Sequence, residues 1–254
     1  MKSLTLLSLL LIACQGNPPP KPAKDLDAKD PRSILEHAAY NTRTQKSYET
    51  KFKARLTTSG APLDYEGRCV WVYPGVLYVH YTASGGDEKM IVRAGDKETW
   101  VWSALAGWVT KDEIGMPGAG RGIQNPDEIL AVLARAGDFA KMAKPGVVAL
   151  TLTGEDIEKI MKEQANKGAF DWKNSSANLD LATDAETRLQ KFTCDATLKS
   201  TDPNVKAPVR YTAEVSLVGY NGARDLKFLD EKKREIPLTT EMKTRIESVL
   251  KEKP

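Results

Sequence analysis

The chain has 254 residues, 41% hydrophobic and 28% charged, which suits one large or two small globular domains and excludes a wholly disordered chain. Its 37 Lys and Arg stand against 34 Asp and Glu with the signs interspersed, so no field of one sign exists to attract nucleic acid. The one dense basic cluster, EKKR at 231–234, reads as a solvated turn.

At the N-terminus, Lys2 supplies one positive charge and Leu4 to Ala13 is apolar except for Thr5 and Ser8. This run is too short for a bilayer core, which needs about 20 residues, but it has the charged and apolar regions of a secretory signal. It closes on Leu11-Ile12-Ala13-Cys14, which resembles the lipobox of bacterial lipoprotein precursors. The resemblance implies that residues 1–13 are a signal peptide cut before Cys14. It also implies a diacylglycerol on the Cys14 sulfur and an acyl chain on the new amino group. Two or more chains anchor a protein stably where one holds it only reversibly. Gln15 stands where enteric bacteria place an Asp for inner-membrane retention, which favours the outer membrane. The alternative is an incidental cysteine after a secretory signal.

Residues 14–31 hold five prolines and almost no bulky apolar side chain, so they read as a tether. Extended like polyproline, this segment reaches about 50 Å. Residues 32–254 then read as a single globular α+β domain. A first helix is signalled by Asp30 as cap and Pro31 in the first turn, with Ile34, Leu35, Ala38, Ala39 and Thr42 on one stripe. In SYETKFKARL, Tyr48, Phe52, Ala54 and Leu56 alternate with Glu49, Lys51, Lys53 and Arg55, as in an antiparallel strand with one buried face. LDYEGRCVWVY, VLYVHY, KMIVRA, KETWVW and GWVTKDE follow as short strands separated by turns. Parallel pairing needs long crossovers, and none lies between them, so they form an antiparallel meander.

A Gly-rich loop at 115–122 leads to Asn125-Pro126-Asp127-Glu128, which caps a helix over ILAVLARA. VVALTLT reads as a strand, and Thr153-Gly154-Glu155-Asp156 caps a helix carrying Ile157, Ile160 and Met161. Strands are expected around 177–182, 188–199 and 209–218, then an Asn221-Gly222 hairpin turn into ARDLKFLD. The last helix carries Met242, Ile246, Val249 and Leu250 on its inner face. The sum is an α+β protein, a curved antiparallel sheet packed on several amphipathic helices. The order of helix, SYETKFKARL, aromatic-rich meander, GDKETWVW and NPDEILAVL resembles the LolA/LolB and LppX-type lipoprotein carrier superfamily. That resemblance implies a half-open barrel, LolA-like, with an apolar cavity for acyl chains.

Chemistry-bearing patterns are few. His37 and His80 are far apart, and no His, Cys or carboxylate spacing makes a metal cage. GAGRG lacks the Lys-Ser/Thr of a phosphate-binding loop, and no G-x-S-x-G elbow is present. The acidic pairs Asp112-Glu113 and Glu155-Asp156 suit a strand end and a helix cap. No catalytic residue, metal or cofactor is therefore expected, and the chain reads as a non-enzyme.

With Cys14 assigned to the anchor, Cys69 and Cys194 remain, each on the apolar side of a strand. They are either a disulfide or two separate buried thiols. Trp71, Tyr73, Tyr78, Trp100 and Trp102, with Tyr81 and Trp108 nearby, concentrate in one meander. They either fill the core or, as the carrier resemblance implies, line a ligand cavity. The expected function is a membrane-anchored envelope lipoprotein that binds or carries a hydrophobic ligand, a lipid or the acyl chains of another lipoprotein. The alternative is a structural or interaction lipoprotein with a filled interior. The expected partners are the membrane, through the lipid anchor, and a hydrophobic ligand or envelope protein; nucleic acid is not among them.

Overall fold

The computed structural model describes residues 21–58, 60–95, 98–113, 139–161, 170–201, 207–222, 224–230 and 232–251. The signal, Cys14, the Gly-rich loop and the helix expected after Asn125 lie outside these residues.

Helix α1 (Pro31–Arg43) begins as its sequence predicts: the Asp30 carboxylate accepts the Arg32 N–H at 2.9 Å, with Pro31 following the cap. Its buried stripe is Ile34, Leu35, Ala38, Ala39 and Thr42. Strand β1 (Ser47–Thr57) buries Tyr48, Thr50, Ala54 and Leu56 and exposes Lys51, Lys53 and Arg55, the expected alternation. Then come β2 (Leu63–Val72), β3 (Val76–Ala83), β4 (Asp87–Ala94), β5 (Glu98–Ser103) and β6 (Gly107–Thr110). After them come β7 (Ala140–Lys144), β8 (Val147–Leu152), helix α2 (Gly154–Met161), β9 (Phe170–Thr183), β10 (Leu189–Ser200), β11 (Val209–Tyr220) and helix α3 (Thr240–Lys251).

All eleven strands join one antiparallel sheet in the order β6-β5-β4-β3-β2-β1-β11-β10-β9-β8-β7. One meander runs outward from β1 to β6, and a second runs inward from β7 to β11 beside β1. Among the described residues the sheet is not closed, with β6 and β7 at its ends, in agreement with the open antiparallel sheet expected. Packing divides the chain into two compact units. The first holds the described residues of Met1–Thr44, Lys53–Asp64 and Ile123–Ser216; the second holds those of Gln45–Phe52, Tyr65–Gly122 and Leu217–Pro254.

In the first unit, α1 is fixed to the β10 end by its last buried residue: Thr42 Oγ1 accepts the Leu189 N–H at 2.9 Å. At the start of α2, Asp156 Oδ2 accepts from the Thr153 N–H at 2.9 Å and from its hydroxyl at 2.7 Å. Two strands differ from expectation. β9 starts at Phe170, ahead of the expected 177, because Ser175 hides its polarity: its hydroxyl donates to Asp171 O at 2.8 Å and accepts the Lys199 N–H at 3.1 Å beside a register shift. β7, AKMAK, gave no strand signal; it is an edge strand with Lys141 and Lys144 exposed, a composition that discourages further pairing.

In the second unit the Asn221-Gly222 pair forms no hairpin. Asn221, at φ +58°, instead ties off β11: its Oδ1 accepts the Lys46 N–H at 2.7 Å, its Nδ2 donates to Gln45 Oε1 at 2.8 Å, and its N–H donates to Ser47 O at 2.8 Å. The chain then passes through 225–228 without regular secondary structure and doubles back, with Ile236 N donating to Phe228 O. In α3, Met242, Ile246 and Val249 are buried as expected, but Leu250 is 39% exposed.

Candidate functional site

The register of β2 to β5 sorts the candidate aromatics onto two faces, because residues directly opposite across an antiparallel ladder point the same way. Val70 pairs with Tyr78, Tyr78 with Val92, and Val92 with Trp100. Trp71 pairs with Leu77, Leu77 with Arg93, and Arg93 with Thr99. Tyr78 and Trp100 therefore lie on one face, with Trp102 two residues beyond Trp100, and Trp71 lies on the other.

The first face is closed by the chain itself. Val70, Val76, Tyr78, Met90, Val92, Ala94 and Trp100 form one core with Leu226, Phe228 and the α3 residues Met242, Ile246 and Val249. Trp102 and Trp108 pack against this core at the margin. Phe228 meets the Trp108 ring edge-on with centroids 5.1 Å apart, and Trp108 Nε1 donates to Pro237 O at 3.1 Å. Burial first, and the Asp225 charge second, push the Tyr78 phenol up to about 12.

The opposite face is an aromatic wall. Tyr48 lies 6.3 Å from Trp71, 6.0 Å from Tyr73 and 6.1 Å from Tyr220, centroid to centroid. Farther along, Tyr81 meets Phe52 at 6.5 Å and Tyr65 at 6.3 Å. Gly67 makes this second group possible, since a Cβ there would stand 2.6 Å from Tyr81 Cβ and 2.8 Å from the tip of Phe52. Leu77, Val79, Ile91 and Val101 fill the wall between the two groups, all buried. The Arg93 guanidinium sits 5.6 Å above the Trp71 ring, and Lys89 pairs with Tyr81 across the ladder. No described helix of this unit packs on the wall; α3 lies against the other face of β3 and β4.

Of the five residues expected to line a cavity, the structure thus joins Trp71 and Tyr73 on the wall and places Tyr78, Trp100 and Trp102 with the closed core. Tyr48, Phe52, Tyr65 and Tyr220 belong to the wall but were not among those five. The alternation in β1 and β2 marks three of them as inward residues; their grouping follows from strand neighbours in the sheet.

Cys69 and Cys194 are both buried and carry free thiols in this structure. Cys69 lies on β2 and Cys194 on β10, with β1 and β11 between those strands in the sheet. Burial pushes both thiols up to about 12, offset slightly at Cys69 by a hydrogen bond with Thr50 and reinforced at Cys194 by the Asp195 charge. Neither is a thiolate near neutral pH.

Each histidine has a hydrogen-bond partner. His37 Nδ1 contacts Ser33 O at 2.8 Å within α1, and His80 Nε2 contacts Glu88 Oε1 at 2.6 Å. Glu113 Oε2 accepts from the Thr110 N–H and hydroxyl, so it closes a strand end. Among the described residues no group of three His, Cys, Asp or Glu is placed to hold a metal, and no helix is long and apolar enough to cross a membrane.

Fold and site together define the class: an open antiparallel α+β sheet with one self-closed face and one aromatic face. No protein-family model matches the chain, and no curated protein does. Among solved structures, LprF from Mycobacterium bovis is similar at 12% identity and a TM-score of 0.37, over 76% of this chain and 93% of that one. A DUF1329 family protein from Desulfovibrio piger is similar at 11% identity and a TM-score of 0.34, over 81% of this chain and 100% of that one. A domain described as an outer membrane lipoprotein-sorting protein, from Vibrio parahaemolyticus, is similar at 9% identity and a TM-score of 0.30, over 81% and 96%. Similarities this weak assign neither a family nor a function to this chain.

Proposed function

We propose that the protein is an exported envelope lipoprotein, held to the membrane through acyl chains on Cys14, whose aromatic wall receives a hydrophobic ligand. The ligand class is a lipid or the acyl chains of another lipoprotein. The observation that carries this reading is the asymmetry of the second unit. One face of β2 to β5 is covered by α3 and the 225–238 segment, while the other carries Tyr48, Phe52, Tyr65, Trp71 and Tyr81 with no described helix of that unit upon it. Such a wall binds by removing apolar surface from water and needs no cofactor. Arg93, above Trp71 at the end of the wall, provides a cation for a polar headgroup.

A second reading, an interaction lipoprotein with a filled interior, is favoured by the burial of the wall itself, with Tyr48 and Val79 at 0% exposure. Lipid extraction and mass spectrometry on natively purified protein separate the two. A carrier retains an apolar compound and changes its Trp fluorescence when lipid is titrated in; a protein with neither property is not a carrier. The anchor is tested by Cys14→Ser, which releases the protein from the membrane fraction. A variant that stays fully membrane-bound contradicts the lipoprotein reading.

A further inference from the structure

One end of the second unit carries features that neither face explains. β5 and β6 are joined by Ala104-Leu105-Ala106, and Leu105 at the apex is 100% exposed. A single exposed leucine needs no explanation by itself, but through Trp108 this hairpin meets the segment that leads into a charged turn. Phe228 meets the His80 ring at 6.3 Å and the Trp108 ring at 5.1 Å, and Trp108 is the second residue of β6, just past the β5–β6 turn. Ala83 pairs with Asp87 and Ile91 with Val101, which puts the β3–β4 turn and the Leu105 apex at the same end. Beyond Phe228 the chain turns at 230–234 and returns, with Leu229 bridging Glu235 and Ile236 N donating to Phe228 O.

The turn is built by Asp230 and Arg234. The Asp230 carboxylate accepts the Lys232 N–H at 2.9 Å, the Arg234 N–H at 2.8 Å and Arg234 Nε at 2.8 Å, with Lys233 at φ +60°. The same design occurs in the first unit, where Asp184 accepts the Glu186 N–H at 3.1 Å, the Arg188 N–H at 2.8 Å and Arg188 Nε at 2.8 Å, with Thr187 at φ +56°. The Asp and Arg make the turn, and the two residues before the Arg differ between the two turns. In the first unit they are Glu186 and Thr187; in the second they are Lys232 and Lys233, both exposed. The lysines are therefore not required by the turn. Arg234 pairs with Asp230 and Lys227 lies 3.8 Å from Glu235, so these four charges cancel locally. Glu231 lies outside the described residues. Leu229 adds a side chain that is 41% exposed, and half-buried Trp102 and Trp108 stand behind the apex.

We propose that this end of the second unit docks on an anionic bilayer surface, with Lys232 and Lys233 against the lipid headgroups and Leu105 entering the acyl boundary. The pairing of exposed cations with an apolar tip backed by Trp is the chemistry of a lipid interface. This contact is additional to the Cys14 anchor and independent of what the aromatic wall binds.

The test uses the full chain carrying Cys14→Ser and Leu105→Cys, the new thiol bearing an environment-sensitive fluorophore. Cys69 and Cys194, buried as un-ionised thiols, do not compete for the label. With vesicles of phosphatidylcholine plus phosphatidylglycerol, the emission shifts to the blue and is quenched by nitroxide-labelled lipid. With phosphatidylcholine alone the shift is at least several-fold weaker, and high salt reverses it. Replacing both Lys232→Gln and Lys233→Gln lowers the apparent partitioning of the tip roughly tenfold or more. A probe that stays in water on the anionic vesicles overturns the proposal, even if the chain is held there by its N-terminus. Equal insertion into both vesicle types, or insertion indifferent to the lysines, overturns it as well.

Discussion

The two faces of β2 to β5 are made of similar side chains and end in different situations. On one face, Tyr78, Met90, Val92 and Trp100 interlock with Phe228 and Met242 from the chain's own C-terminal part. On the other, Trp71, Tyr81 and their tyrosine neighbours build a buried wall on which no described helix of the same unit packs. Composition alone does not separate core from binding surface, since aromatics favour strands in either case. What separates them is which segment returns to cover each face.

The largest effect is expected where the cover is the chain itself. Phe228 is 1% exposed and packs on Trp108, so Phe228→Ala lowers stability by about 3 to 5 kcal/mol in urea unfolding while leaving the wall intact. Next come two bulk-adding substitutions at residues of equal burial, Val92 and Val79, both 0% exposed. Val92→Phe overpacks the closed face and costs about 1 to 3 kcal/mol. Val79→Phe, on the wall, costs less in lipid-stripped protein and reduces the bound lipid found by mass spectrometry. Equal costs with unchanged lipid content would erase the difference between the faces.

Alkaline pH probes both faces at once. Cys69 on the wall and Tyr78 on the closed face are raised to about 12 from ordinary values of 9.0 and 10.0. A raised folded-state value means a contribution fully present below the unfolded value and lost as pH rises through the folded one. Stability should hold to pH about 9 and decline toward 12; a flat unfolding midpoint across that window would remove both groups from the account. Arg93→Met is the smallest perturbation, costing about 0.5 to 1 kcal/mol of cation–π attraction to Trp71. Its sharper readout is selectivity: retention of anionic lipid should fall more than retention of neutral lipid, and an equal fall would deny Arg93 a headgroup role.

Helices α1 and α3 were legible because their signals are local: a cap, a proline and a stripe at helical spacing. The β1 alternation was legible for the same reason. β7 and the start of β9 were not, since AKMAK lacks an apolar period and the polarity of NSS is satisfied by the Ser175 hydroxyl within the ladder. Asn221-Gly222 carried a hairpin signal that the fold used differently, because the Asn side chain found Gln45 and Lys46 across the chain. For the site, alternation put Trp100 and Trp102 on one face, but placing Trp71 on the other required the pairing of Trp71 with Leu77.

By itself, then, the sequence determined the antiparallel α+β class, the principal helices, the alternation of the first strand and the expectation of a lipidated Cys14. These follow from neighbours a few residues apart, where periodicity and capping act. Only the tertiary structure decided that five candidate aromatics divide between two faces, and that Phe228, ahead of the Lys232-Lys233 turn, packs on Trp108 just past the Leu105 turn. Each of those depends on strand order or on register between segments distant in the chain, and a single residue of register exchanges one face of a strand for the other.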